Sequence, residues 1–408
     1  MEYFFSSGLA PLTGTATREI FKLLNRPEIV SFAGGLPAND CLPADQIREI
    51  CAAIFADKAQ ARRALQYGNT EGYPELKEQI KSLVKDVHIQ EKDAGVDNIL
   101  ITTGGSQGLD LTVKCFINPG DVVLVEDPTF LGFLATVQSY AARPVGVKAH
   151  DSGLDLEDLE YKIRKYKAKL LYTIPNFSNP TGKTYSIENR QAIAGLAAKY
   201  NMVVIEDDPY GRLRFAGDHL PSMKSYDDQG MVVYCSSFSK TISPGIRLGY
   251  SLGHQDLIRK MTIAKQGVDL HTSNLVQLII TRYLEKGYFY PNIEKSLPIY
   301  RERETAMIQA IKKYMPREFK HTNPDGGLFI WGEFDAPLNT GEIFKEAIDR
   351  NVAYITGSSF YGEGPDPGQG ARGLNTLRLN YTNETLERIE TGIQSLGELF
   401  KEKTASIK

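Results

Sequence analysis

The pattern of apolar and polar positions changes character twice along the chain. The first forty residues show no sustained period. They end in Ser31-Phe32-Ala33-Gly34-Gly35-Leu36-Pro37, a turn punctuated by Gly and Pro. Two helical patterns follow. Residues 45–56 place Ile47, Ile50 and Ile54 on one face, and residues 73–86 do the same with Leu76, Ile80, Leu83 and Val84. From residue 98 short apolar runs take over: Ile99-Leu100-Ile101, Val122-Val123-Leu124-Val125, Leu170-Leu171-Tyr172, Val203-Val204-Ile205 and Val232-Val233-Tyr234. Each is rich in β-branched residues and is separated from the next by a helical stretch. This predicts strands buried on both faces of a mostly parallel α/β sheet, with ligands at the strands' carboxyl ends.

After residue 290 the alternation loosens. Residues 302–314 and 340–350 read as helices, and residues 328–331 and 376–380 as strands. Residues 357–373 are rich in Gly and Pro and predict a loop. A second, smaller α+β domain is expected here. The division is residues 1–45 as N-terminal arm and part of the small domain, 46–289 as large domain, and 290–408 as C-terminal small domain. A chain of 408 residues accommodates about two or three domains.

Composition narrows the function classes. Lys plus Arg number 47 against 50 Asp plus Glu, so no basic surplus points to nucleic acid or an anionic membrane. No run of eighteen apolar residues suggests a membrane-spanning helix, and residues 1–10 carry no basic, apolar leader pattern. Cys41, Cys51, Cys115 and Cys235 form no C-x-x-C pair and are too dispersed for a zinc site, so no metal is expected. They read as buried or half-buried thiols in a reducing cytoplasm.

Chemistry concentrates where the apolar runs end. Ser236-Ser237-Phe238-Ser239-Lys240-Thr241-Ile242-Ser243-Pro244-Gly245-Ile246-Arg247 follows the run at Val232. Ser237, Ser239 and Arg247 can bind a phosphate, and Lys240 beside them can condense with an aldehyde. A solvated Ser/Lys turn is the plain alternative. Ile205-Glu206-Asp207-Asp208-Pro209-Tyr210 ends another run; a carboxylate there can equally cap a helix. Pro175-Asn176-Phe177-Ser178-Asn179-Pro180-Thr181-Gly182 taken alone is an ordinary turn. Thr103-Gly104-Gly105-Ser106-Gln107-Gly108 opens a helix whose N–H groups suit an anion. It is neither a dinucleotide fingerprint nor a P-loop.

Taken in order, these motifs resemble the fold-type I aminotransferases of class I/II, and within them the branch of 2-aminoadipate, kynurenine and related multisubstrate aminotransferases. The resemblance runs from Arg18-Glu19-Ile20 and Phe32–Pro37, through Leu65-Gln66-Tyr67-Gly68, to Gly326-Gly327-Leu328-Phe329 and Leu377-Arg378-Leu379-Asn380. It implies the pyridoxal 5′-phosphate transferase fold and an enzyme that exchanges amino groups between an L-amino acid and a 2-oxo acid, with 2-oxoglutarate as acceptor. Lys240 is then the lysine bonded to the cofactor and the carrier of the Cα proton, and Asp207, rather than Asp208, is the partner of the pyridine nitrogen. Tyr210 and Asn179 match the groups at the ring's 3-oxygen, and Phe130 the aromatic stacked on the ring. Ser237, Ser239, Arg247 and the turn of Gly105, Ser106 and Gln107 match the phosphate cradle, although relatives often read Gly-Ser-Gln-Gln in that turn. Tyr67 matches a tyrosine that reaches the phosphate of the other subunit, implying a homodimer with shared sites. Arg378 matches the clamp on the substrate α-carboxylate, with Asn179 and Gly35 beside it. Arg18 matches a contact to a distal carboxylate. Thr356, in Ile355-Thr356-Gly357-Ser358-Ser359-Phe360, stands where proline is common. Elimination or cyclisation on the same cofactor stays open. A regulator with an aminotransferase-like domain is disfavoured by the near-neutral charge and the short segment before Arg18. A nicotinamide dehydrogenase lacks its fingerprint.

Overall fold

The computed structural model describes residues 3–10, 12, 26–90, 93–362 and 372–406. The expected apolar runs are strands: β1 (Ile99–Thr102), β2 (Val122–Asp127), β5 (Leu170–Thr173), β6 (Val203–Asp207) and β7 (Val232–Ser237). Three further strands complete the sheet: β3 (Arg143–His150), the short β4 (Gly153–Leu154) and β8 (Gly249–Leu252). The eight run in the order β1-β8-β7-β6-β5-β2-β3-β4. β7, β6, β5, β2 and β3 pair in parallel, and β8 is antiparallel to both β7 and β1. β1 therefore runs the same way as β7, and six strand ends deliver their following loops to one edge. The sheet is mostly parallel, as the unbroken apolar runs require: β1 and β5 are buried at every position. β3 escapes the apolar-run signature because Arg143, Lys148 and His150 are exposed along it.

The reversed strand β8 has a local consequence. Gly249 pairs with Thr102 on one side and Ser237 on the other. A Cβ there would lie 2.8 Å from the Gly104 carbonyl carbon, the Gly105 nitrogen and the Ser236 oxygen. The glycine thus lets two chemistry-bearing loops close on one another.

The smaller sheet is antiparallel: β9 (Phe319–His321), β10 (Phe329–Phe334), β11 (Ile355–Thr356) and β12 (Thr376–Asn380), ordered β9-β10-β12-β11. Residues 30–31 join this part of the molecule by pairing in parallel with Val352–Ala353, and the Asn380 N–H donates to Phe32 O over 2.8 Å. The helix expected over residues 302–314 is the second half of a longer one, Phe289–Tyr314, with Pro298 inside it. A proline interrupts the backbone ladder, so the sequence pattern restarts after it. Burial of both halves carries the helix through: Phe289 and Ile293 pack with the helices on one side of the large sheet, Tyr300, Met307 and Ile311 with the small sheet. The boundary expected at 290 therefore falls just inside a continuous helix. One apolar cluster runs from Leu109, Val123 and Tyr172 beneath the large sheet to Phe334, Leu379 and Phe400 in the small domain, so the two sheets are packed together rather than loosely tethered. Of the expected loop at 357–373, residues 357–360 form a 3₁₀ turn, and residues 363–371 lie outside the described residues. Cys41 and Cys235 are buried, Cys51 and Cys115 half-buried, and none is in a disulfide.

Candidate active site

The loops at the carboxyl edge of the large sheet and the inner face of the small one enclose a cavity of about 300 Å³. Twelve residues singled out in the sequence line it. Gly105, Ser106, Ser237, Ser239 and Arg247 stand at one end; Phe130, Asp207, Tyr210 and Lys240 surround the middle; Gly35, Asn179 and Arg378 close the other. Leu36, Leu109, Leu131, Ile174 and Phe329 supply apolar wall between them.

At the first end Gly104 adopts φ +77° and precedes the helix Gly105–Phe116. A Cβ on Gly104 would collide with the Arg247 guanidinium. Ser237 and Ser239 hydroxyls are 2.8 Å apart, and Arg247 Nη1 donates to Ser239 Oγ and to Pro244 O, each over 3.3 Å. Arg247 is in no ion pair among the described residues. Helix N–H groups, two hydroxyls and a guanidinium whose partners are neutral make a cradle for a dianion such as a phosphate.

In the middle, the three consecutive acids of the Glu206-Asp207-Asp208 run go to different jobs, as the alternation of a strand dictates. Glu206 is buried and accepts from Ser222 Oγ and the N–H groups of Met223 and Lys224. Asp208 is tied up by Asn176 Nδ2, Tyr234 Oη and Gly211 N, each donating over 2.9 Å. Asp207 lines the cavity and accepts one hydrogen bond, from Tyr172 Oη over 2.8 Å. Burial lifts its carboxyl to about 7; the Tyr172 hydrogen bond pulls it down and the Asp208 charge pushes it up. A cationic ring nitrogen against it would favour the carboxylate again. Tyr172 was visible in the sequence only as part of an apolar run; its ring is stacked on Phe133 at 3.8 Å, which fixes the hydroxyl under Asp207.

Lys240 Nζ donates to Gly35 O over 2.5 Å. Burial, then the positive charges of Arg378 and Arg247, lowers the ammonium to about 8. An amine so poised is a nucleophile near neutral pH. Arg378 is buried; Nη1 donates to Asn179 Oδ1 over 2.7 Å and Nη2 to Ala33 O over 2.6 Å. Its guanidinium carbon lies 4.2 Å from the Phe329 ring centre and 5.2 Å from that of Phe360. Nε has no partner among the described residues. A buried guanidinium with an unsatisfied donor and no ion pair among the described residues calls for an anionic guest.

Two expected residues, Gln107 and Tyr67, do not line this cavity. Gln107 turns away: its Oε1 accepts from Thr103 N and Lys265 Nζ, each over 2.8 Å, and its Nε2 donates to Asp269 over 2.7 Å. Its side chain braces the cradle turn from behind. Tyr67 is 79% exposed, with its ring edge-on to His271 at 5.8 Å. Arg18 lies outside the described residues. Among the described residues no cluster of His, Cys, Asp or Glu could hold a metal ion, and no helix is long and apolar enough to cross a membrane.

Strand ends of the mostly parallel sheet bring an anion cradle and a buried lysine into one cavity, and β12 of the small sheet adds a buried guanidinium open to an anion; such a set suits an enzyme that handles amino acids on a phosphate-bearing aldehyde. The known proteins agree. The description of class I and II aminotransferases matches residues 35–396, and the chain belongs to that family. It is 35% identical over 410 residues to an aromatic-amino-acid aminotransferase of Thermococcus litoralis, covering 98% of this chain and 95% of that one. It is also 35% identical over 402 residues to the 2-aminoadipate transaminase of Thermus thermophilus, covering 97% and 96%. The crystal structure of a kynurenine aminotransferase of Pyrococcus horikoshii in complex with PMP superposes with a TM-score of 0.90 at 37% identity, over 98% of this chain and 97% of the other. The protein is a pyridoxal-phosphate-dependent aminotransferase. That cofactor supplies an aldehyde that condenses with amines and a ring that withdraws electrons from the bonds at Cα. The cradle, the buried Asp207 and Lys240, its ammonium lowered to about 8, fit it.

Proposed function

We propose that the enzyme moves the amino group of a large apolar or aromatic L-amino acid to 2-oxoglutarate, with Lys240, Asp207 and Arg378 as its three working groups. The observation that carries this reading is their convergence on one cavity from three elements, with Arg378 Nε unpartnered. Arg378 and Asn179 hold the substrate α-carboxylate. Lys240 would be bonded to the cofactor at rest and, as a free neutral amine once substrate is bound, would carry the Cα proton. Asp207, braced by Tyr172, would keep the ring nitrogen protonated. Tyr210 and Asn179 would hold the ring's 3-oxygen, Phe130 would cover the ring, and Gly105, Ser106, Ser237, Ser239 and Arg247 would hold the phosphate. The wall of Leu36, Leu109, Leu131, Ile174 and Phe329 favours an apolar donor side chain.

The proposed working unit is a homodimer in the cytoplasm. Tyr67 supports the dimer: it stands on the surface, clear of its own cavity, as a residue that serves a neighbour's phosphate must. The four thiols without disulfides suit a reducing compartment.

The test is a screen of the purified holoenzyme against the amino acids with 2-oxoglutarate, reading glutamate formed. Aromatic and long aliphatic donors should lead. A preference for 2-aminoadipate would instead give Arg18 the distal-carboxylate role. Ammonia release without glutamate would replace transfer by elimination.

A further inference from the structure

Asp127 closes β2 and immediately precedes Pro128, Thr129 and the ring-covering Phe130. Its side chain is 13% exposed, and it fills the space above Gly146, where a Cβ would lie 2.5 Å from the carboxyl carbon. Its Oδ2 accepts from Nη1 of Arg372, which lies just before β12. Its Oδ1 has no partner among the described residues. Burial pushes the carboxyl up, and the Arg372 guanidinium pulls it back.

Arg372 does more than neutralise. Its Nη2 donates to Gly362 O over 2.8 Å, and its guanidinium carbon lies 5.2 Å from the Tyr361 ring centre. Gly373 leaves room for that ring; a Cβ there would collide with it. A second tie runs alongside: Thr129 N–H donates to Phe360 O over 2.8 Å. Phe360 in turn lies under the Arg378 guanidinium. One forked side chain thus fastens the strand end that carries Phe130 to the segment 360–362 that supports Arg378. No single charge could do both, since the two arms of the fork serve a carboxylate and a carbonyl at once.

We propose that Arg372, through Asp127, is a positioning residue for substrate recognition: it sets the carboxylate clamp at its working distance from the cofactor face. This rests on the reading of Arg378 as that clamp. Arg372 touches neither substrate nor cofactor, so its loss should weaken substrate binding without altering the chemistry.

The experiment compares holoenzymes of wild type, Arg372→Gln, Arg372→Lys, Asp127→Asn and the double variant Arg372→Gln/Asp127→Asn, with Arg378→Gln in parallel. Steady-state kinetics and the bound cofactor's visible spectrum are read for each. Arg372→Gln should raise KM for both donor and 2-oxo acid roughly three- to thirtyfold, the range for residues coupled to a site they do not touch. The maximal rate and the spectrum should stay near wild type. Arg372→Lys should recover part of the loss by restoring the charge. Asp127→Asn, nearly isosteric, should reproduce the KM effect, and the double variant should be no worse than either single one. Unchanged KM in Arg372→Gln beside a raised KM in Arg378→Gln would overturn the positioning role and leave the clamp standing. Unchanged KM in Arg378→Gln would overturn both. A fall in maximal rate or a shifted spectrum with KM intact, or additive effects in the double variant, would also overturn it.

Discussion

The two ends of the cavity are assembled in different ways. The end proposed for the cofactor is made from strand-end loops of one sheet, each short and contiguous: residues 103–107, 127–130, 207–210 and 236–247. The end proposed for the substrate is stitched from distant parts of the chain. Arg378 reaches back 345 positions to Ala33 O and 199 positions to Asn179. The cofactor end inherits its geometry from hydrogen-bonded strand register; the substrate end depends on how the small domain is packed against the large one. The first should be hard to retune and the second easy, which suits a family whose named relatives share a cofactor and differ in amino acid.

This contrast can be tested by variants at each end. The largest effect belongs to Lys240. Lys240→Ala should remove essentially all transamination while the fold and phosphate cradle persist, so cofactor still binds reversibly by equilibrium dialysis. Asp207→Ala comes next: Cα proton removal, followed by deuterium exchange from the substrate, should slow by several orders of magnitude, and Asp207→Glu should regain part of it. A near-normal alanine variant would hand the role to Asp208 or to no residue, although Asp208 is occupied by three donors. At the other end, Arg378→Lys keeps the charge and loses the fork. It should raise KM roughly ten- to a hundredfold, the value of charge-assisted hydrogen bonds, with a smaller change in maximal rate. If the rate collapsed instead, the clamp would be part of the chemistry.

Much of this contrast was legible in the sequence. The five apolar runs became strands, and the residues after them converged as the topology of a parallel sheet demands. The family resemblance singles out Lys240, Asp207 and Arg378, and all three line the one cavity. What escaped was side-chain direction and company. Gln107 sits in the right turn, yet Lys265 and Asp269 draw it behind the cradle. Tyr172 looked like core, and its hydroxyl supports Asp207. The sequence pattern shows only residues 302–314 of the helix Phe289–Tyr314, because local propensity cannot see the burial on both sides of Pro298. The Asp127–Arg372 tie spans 245 positions and has no local signal at all.

Smaller effects test the details. In the proposed role the neutral form of Lys240 is the nucleophile, and burial lowers its ammonium to about 8. Uptake of cofactor by the apoenzyme should therefore quicken as pH rises, with a midpoint near 8 and a plateau above about 9; a rise continuing past 10 would mean an ordinary, solvated lysine. For the shared site, mixing Lys240→Ala with Tyr67→Ala subunits should restore activity, up to roughly half per heterodimer if the two sites act independently. This requires Tyr67→Ala to be impaired alone and exchange to be verified. No recovery despite exchange would confine Tyr67 to its own subunit's surface.

The most direct measurement is chemical. Holoenzyme reduced with borohydride, digested and mapped by mass spectrometry should carry the cofactor on one peptide, the one containing Lys240, and prior incubation with a good donor amino acid should abolish the tag. A tag on a different lysine, or one that a good donor leaves untouched, would contradict the assignment of Lys240 and with it the reading of the cavity.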